Sequence, residues 1–239
     1  MITTIHQPEH LPWLGFFDKA RQADVLVLLD NVPYRKNYFQ NRNRIRSQDG
    51  SVYVTVPVLT KHNSGQLIQS VLINNEGDRR WRQRALATIS QTYKRSSFWN
   101  LYGPFIEEMY AREWTHLAEL NEWIIRHVLQ VLGIGIKVLK ASELNVQGQS
   151  SALLLDICKK TGADVYLSGI SGREYLDTAM FEGDRIDVRY QEFHHPIYPQ
   201  LFEPFLPCMS IVDLLFNCGP KSPAILAGCG VPTLDTVFE

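Results

Sequence analysis

The chain has 239 residues, 45% of them apolar, a formal net charge of −1 and a pI near 6.7. This length and apolar content suffice for a full hydrophobic core. The near-neutral balance excludes a protein that coats nucleic acid through basicity over its whole surface, so nucleic acid is not an expected partner. The opening MITTIHQPEH lacks the basic and long apolar regions of a secretory leader, and no segment approaches the ~18 apolar residues of a membrane helix. A cytoplasmic protein without a transmembrane segment is expected.

Met1–His6 predicts a short buried strand, closed by Pro8. Trp13–Gln22 carries an apolar stripe (Trp13, Leu14, Phe16, Phe17, Ala20) and predicts a helix after Pro12. Asp24–Asp30 (DVLVLLD) is a nearly continuous apolar run between acids, the pattern of a strand buried on both faces of a parallel sheet. Strand, helix, strand makes a βαβ unit, whose ligands bind beyond the carboxyl ends of the strands.

Two segments fall at such ends. HQPEHLPW follows the first strand. A basic loop follows the second: between Arg35 and Arg46 stand five cations, four side-chain amides and no acid. A merely solvated surface would intersperse acids among the bases. Further along, Ser51–Leu59 and Gln69–Asn74 predict strands, and 80–132 turns helical, with apolar spacings of three and four through Leu101–Met109 and Leu117–Leu132. Ile136–Lys140, a helix over Ser151–Lys160 capped by Gly162, and the buried run Asp164–Ser168 form a second strand-helix-strand, ending in Ser168-Gly169-Ile170-Ser171-Gly172. Arg185–Phe193 predicts a strand, His194–Pro207 an ordered loop, and Ser210–Asn217 a short helix with Ser210 as N-cap. The expectation is one α/β domain over 1–239, a Rossmann-like, mostly parallel sheet with a helical insertion around 80–132.

These ends suggest an anion site. His6 at the first strand end is suited to proton transfer near neutral pH or to stabilising phosphate charge, with Gln7 as donor. Asp30 is the other candidate for proton transfer. Arg35, Lys36, Arg42 and Arg44 would hold phosphate or carboxylate, Gln40, Asn41 and Asn43 would orient the substrate, and Tyr34 would stack on a ring. Ser168, Gly169, Ser171 and Gly172 form a turn of the kind that nests an anion, and Tyr175, Asp177 and His195 would line the site. The plainer alternatives are a tight proline turn with packed histidines, an exposed basic loop that docks a polyanion, and a turn rich in glycine for backbone freedom only. The cysteines Cys158, Cys208, Cys218 and Cys229 form no CxxC pair and read as reduced thiols. A zinc site from Cys208, Cys218 and Cys229 with His194 or His195 stays open at irregular spacing, and no metal ligand is assigned.

In order, HQPxxxPWxGFF at His6–Phe17, ADVxVxLDxVxYxKxxxQNRNRI at Ala23–Ile45 with Arg35 at a position where the pattern expects a glutamine-like residue, TVPV at Thr55–Val58, YLSGxSGxxYLD at Tyr166–Asp177, HPxYxQ at His195–Gln200 and SIVDLLFNxG at Ser210–Gly219 resemble the WbqC-like protein family over nearly the whole chain. The resemblance implies a biosynthetic role, since the family is associated by name with O-antigen and other surface-polysaccharide gene sets. It implies a group-transfer enzyme, a transferase or ligase of nucleotidyl- or acyl-transfer type, acting on an anionic substrate. That substrate would be a nucleotide-activated sugar or an acyl or aminoacyl group, with other biosynthesis enzymes as candidate partners. No cofactor is assigned from the sequence, a nucleotide with magnesium being one candidate. The competing class is a non-catalytic protein that binds a sugar nucleotide or a glycosyltransferase through the basic loop. HLPWLGFFDKARQADVLVLLD is also similar in layout to the HxGH segment of nucleotidylyltransferases and pantoate-ligase-like enzymes, with His10 as the first histidine and Trp13 in place of the second.

Overall fold

A computed structural model describes residues 1–59 and 65–235. The chain begins as read: β1 (Ile2–His6), α1 (Leu14–Arg21) and β2 (Val25–Leu28). A hairpin of β3 (Arg42–Ser47) and β4 (Gly50–Thr55) comes next, then α2 (Trp81–Tyr93), α3 (Trp99–Ala111) and α4 (Leu117–Val131). The second half runs β5 (Lys137–Lys140), α5 (Ser150–Thr161), β6 (Val165–Ser168), α6 (Thr178–Gly183), β7 (Asp187–Tyr190), β8 (His194–Pro196), α7 (Ile211–Cys218), α8 (Ser222–Leu226) and β9 (Thr233–Asp235).

The main sheet has five parallel strands in the order β5-β2-β1-β6-β7. The VLVL run of β2 is apolar throughout because both of its faces are covered. Leu26 and Leu28 join the larger core with Leu14, Phe16 and Phe17 of α1 and with α3, α4 and α7. Val25 and Val27 join Leu153–Leu155 and Ile157 of α5, Tyr166 of β6 and Phe181 of α6. Alternation of side chains across a strand therefore feeds two cores, one on each face. The mixed α/β architecture with a mostly parallel sheet is the Rossmann-like class expected, and α2–α4 occupy the predicted helical insertion between β4 and β5.

Three local expectations are corrected. The basic stretch is not a loop beyond its tip: Arg42–Ser47 is β3, paired in register from Arg42↔Thr55 to Ser47↔Gly50. Its alternation places Asn43 and Ile45 inside while Arg42 and Arg44 stay half-buried. Gln69–Asn74 is not a strand. Ile68–Ser70 forms a 3-10 turn, and beyond it only isolated bridges such as Val58↔Ile73 and Leu72↔His116 form. Val71 and Ile73 are fully or nearly buried in the larger core, so the apolar alternation reflects packing without a ladder partner. The segment after Phe193 is not loop throughout, because His194–Pro196 pairs with Thr233–Asp235.

The sheet order sets where chemistry can occur. The chain leaves β1 for α1 on one face, and leaves β6 for α6 on the other. β1 and β6 are neighbours, so their carboxyl ends flank the crevice at the point where strand order reverses, the usual ligand position in open α/β sheets.

A polar crevice at the strand switch point

His6 ends β1 and Ser168 ends β6. Between these ends lies a residue that the sequence patterns did not single out. Lys19 of α1 is 3% exposed, and its Nζ donates to the carbonyl oxygen of Ile5 at 3.1 Å. The same Nζ lies 4.0 Å from where a β-carbon on Gly169 would stand. Burial brings the Lys19 ammonium down to about 8, partly opposed by Glu9.

Glu9 faces the same crevice. It is 5% exposed, and its Oε2 is enclosed without a hydrogen-bond donor. Burial pushes its carboxyl up to about 8 against the pull of Lys19. Its Oε1 stands 3.9 Å from His6 Nδ1. That nitrogen lies 3.0 Å from the carbonyl oxygen of Gln7, which can only accept, so the neutral ring carries its proton on Nδ1 and leaves Nε2 as acceptor. Burial first, and then the Lys19 charge, hold His6 well below its ordinary range. The edge of its ring packs on Phe16 with centroids 4.8 Å apart.

Two clamps fix this arrangement. Gln191, just past β7, donates to Gly15 O at 2.9 Å and Asp18 Oδ2 at 2.7 Å on α1, while its own N–H bonds Ser168 O at 2.8 Å. Helix α1 is thereby tied to the ends of β6 and β7, which sets Lys19 over the crevice. Asn121 of α4 donates to Pro8 O at 3.0 Å and Gln40 O at 2.7 Å. The helical insertion thus holds the turn after β1 against the basic segment.

Above the crevice the rim is aromatic and cationic. Arg35 lies over the Tyr38 ring at 4.6 Å, and Arg173 over the Tyr190 ring at 4.7 Å. Tyr175 is 60% exposed and lies close enough to both Tyr190 and Tyr38 for their charges to be felt. Tyr38 is exposed and follows Arg35 and Lys36 closely in the chain. Two surface depressions lie elsewhere, one around Arg126, Gly133 and Val138 and the other along Ala87–Arg95.

Of the residues expected to form the site, His6, Gln7, Gln40, Arg35, Gly169 and Tyr175 gather here. Gln40 is fully buried, donating to Gln7 Oε1 at 2.6 Å and accepting from Arg35 N at 2.8 Å. Lys36 is exposed beside Arg35, and Tyr34 is half-buried with its N–H on Gln66 O. The others are placed by structural contacts. Both Asp30 carboxylate oxygens accept from Ser142, from its N–H at 2.9 Å and its hydroxyl at 2.6 Å, which ties the end of β2 to the turn after β5. Asn41 donates to Val56 O and Asn43 to Leu11 O, each at 2.9 Å. Arg42 donates to Asn37 O at 2.7 Å and covers the Tyr53 ring. Arg44 is half-buried on β3, and its carbonyl accepts from Ser210 N.

Ser168 is 1% exposed. Gly172 packs on it so closely that a β-carbon there would fall 2.1 Å from Ser168 Oγ, so this glycine is required by packing. Ser171 is exposed on the turn, and the Asp177 N–H is held by Ser151 Oγ at 3.0 Å. His195 is fully buried on β8. Its Nδ1 lies 2.8 Å from Pro196 O, and its Nε2 accepts from the Cys208 N–H. His10 is also fully enclosed, 3.4 Å from the Tyr110 hydroxyl, and burial holds it well below its ordinary range. Among the described residues no group of three His, Cys, Asp or Glu side chains is placed to hold a metal ion, and no helix is long and apolar enough to cross a membrane.

Glu9 and Lys19 are the residues that sequence reasoning missed. Lys19 did leave a signal. It lies three positions after Phe16 and adjoins Ala20, so it sits on the apolar stripe of α1, where a lysine is out of place unless it has a task.

The geometry is that of an open, parallel α/β sheet with a polar crevice at its switch point. The chain belongs to the WbqC-like protein family, whose model matches residues 7–225. It is similar to the Mycobacterium tuberculosis protein named "Uncharacterized protein Rv1507c", with 29% identity over 227 residues that cover 94% of this chain and 97% of that protein. No solved structure matches.

Proposed function

We propose that the protein is a biosynthetic group-transfer enzyme whose anionic, nucleotide-activated or acyl-activated substrate lies across the ends of β1 and β6. The observation that carries this reading is the buried Lys19 ammonium at the switch point, which uses a single acceptor, Ile5 O, among the hydrogen bonds described. A lysine so placed retains donors for phosphate or carboxylate oxygens in a low-dielectric setting, where charge stabilisation is strong. The rim arginines Arg35 and Arg173 add cationic reach, and the tyrosines Tyr38, Tyr175 and Tyr190 offer faces for a planar base. His6 Nε2 is the proton acceptor nearest to hand, and Gln7 is fixed beside it by Gln40. Magnesium, where the ligand needs it, would travel on the phosphates. The surface-polysaccharide setting belongs to this proposal through the family association.

The docking alternative draws on an exposed, loose basic loop. The segment from Gln40 to Arg46 is instead packed, with Gln40 and Asn43 fully buried and Arg46 2% exposed. Its free part is the tip around Arg35–Tyr38, which sits at the rim.

A thermal-shift screen of the purified protein against nucleotides, nucleotide sugars and coenzyme A, with and without magnesium, tests this reading. The expected result is a rise in midpoint with one class, lost in Lys19→Met and reduced in Arg173→Ala. Equal shifts in wild type and Lys19→Met would remove the crevice as the binding site.

A further inference from the structure

The floor of the crevice contains an imbalance that anion binding alone leaves unexplained. Glu9 Oε2 is enclosed and lacks a donor, while the Lys19 ammonium has donors to spare. A buried polar atom left unpaired is costly, and this one stands beside the Lys19 ammonium at the end of β1. The two groups sense each other's charge, yet Glu9 reaches no closer ion-pair partner than His6 Nδ1 at 3.9 Å. No ion-pair contact joins them, so an acceptor without a donor and a donor with bonds to spare stand apart at the same strand end. The neighbours do not fill the need in this structure. His6 has committed its Nδ1 proton to Gln7 O, Gln7 Oε1 accepts from Gln40, Asn121 serves the Pro8 and Gln40 carbonyls, and none of them donates to Glu9 Oε2.

From this we infer that Glu9 and Lys19 together recognise a ligand carrying a primary ammonium beside an acid group, with the ammonium on Glu9 Oε2 and the acid group on Lys19 Nζ. The inference rests on the strand-end site proposed above and names the amine-bearing substrate of that site. Free α-amino acids and amino-sugar phosphates share this chemistry. The upward shift of Glu9 and the downward shift of Lys19 agree with it, because each charge is incompletely supported until the opposite charges arrive. With burial raising the Glu9 carboxyl to about 8, an ammonium that docks on it near neutral pH is expected to expel a proton to solvent.

Isothermal titration of the purified full chain at neutral pH tests the inference. The probes are α-amino acids and glucosamine 1-phosphate, each beside a counterpart in which a hydroxyl replaces the amine: the 2-hydroxy acids and glucose 1-phosphate. The expected result is binding of one amine probe at least about tenfold tighter than its hydroxyl counterpart. The heat should depend on the buffer's ionisation enthalpy in the sense of proton release. Glu9→Gln should erase the preference and the proton release while leaving the counterpart's affinity in place, and Lys19→Met should weaken both probes. Whichever amine probe binds identifies the source of the chemistry. Equal binding of the paired probes, no binding of any amine, or a preference that survives in Glu9→Gln overturns the inference. Should Glu9→Gln fail to fold, the paired preference and the proton release of the wild type decide the matter alone. Nucleotide titration in the same protein separates the two readings. Nucleotide binding without amine preference overturns this inference only, and amine preference without nucleotide binding overturns only the nucleotide side of the earlier proposal.

Discussion

Two of the buried carboxyl groups, Asp213 and Glu9, are treated in opposite ways. Asp213, in the first turn of α7, is fully enclosed and accepts from Tyr93 at 2.6 Å, Tyr198 at 2.9 Å, Gln200 at 2.7 Å and Asn217 at 3.2 Å. Burial raises it, and its hydrogen-bond donors, Tyr93 first, pull it back. Glu9 is buried almost as deeply, is raised by burial too, and has an oxygen with no donor at all. A saturated buried carboxylate is a structural tie, which joins α2, α7 and the segment around Tyr198. An unsaturated one at a strand end is the group that the proposed ligand would engage. The contrast separates scaffold from site better than residue type does, since both are acids within reach of cations.

The contrast can be broken most directly by mutating each acid. Asp213→Ala would strand several buried donors at once and should cost roughly 3–5 kcal/mol, seen as a lower urea midpoint. Near pH 4.5, before the raised Glu9 carboxyl begins to cost stability, Glu9→Gln should leave stability within about 1 kcal/mol of wild type, with its loss confined to ligand binding. If both variants fall equally in urea, Glu9 is scaffold as well. Next in size, Asn43→Ala removes the donor to Leu11 O and should cost roughly 1–3 kcal/mol without changing ligand specificity. That result would place the buried amides of the basic strand with Asp213.

The pH dependence sharpens the same comparison. For Glu9 the folded carboxyl is raised from 4.5 to about 8, so between those values the folded state binds the extra proton and stability falls as pH rises. For Lys19 the folded value is lowered from 10.5 to about 8, so its contribution makes stability rise with pH above about 8. His6, lowered from 6.5, adds a rise confined below that value. Between 6.5 and about 8 the Glu9 slope is the one the cluster leaves unopposed. Wild type should lose stability there relative to Glu9→Gln, by no more than about 1.4 kcal/mol per pH unit. Parallel curves for the two proteins would mean that Glu9 titrates in its ordinary range. The smallest expected stability effect is at the rim, where Arg173→Ala should change it by less than about 0.5 kcal/mol. The same change should weaken nucleotide binding several-fold through the lost charge and the cation over Tyr190.

Much of the fold was legible because it rests on local patterns. The VLVL run of β2, the Ser210 cap that accepts from Val212 N, and Gly162 in the left-handed conformation at the end of α5 each arise from nearest-neighbour chemistry. The candidate site was legible only in part. That His6, Gln7, Arg35, Gly169 and Tyr175 would stand near one another could be read from their position beyond the carboxyl ends of parallel strands. Asp30 was not separable from them, because its partner Ser142 is 112 residues away. The amides of Asn41 and Asn43 looked like ligand contacts, since nothing local reveals that they serve the carbonyls of Val56 and Leu11. By itself the sequence determined the strands of the parallel sheet, the main helices and the two strand ends where a ligand could lie, because hydrophobic period and caps act over a few residues. Only the tertiary structure decided which polar groups are engaged and which are spare, because a hydrogen-bond partner is a matter of position in space. The pairing of β1 with β6 brought Lys19 and Gly169 together, and the packing around Glu9 left its Oε2 without a donor.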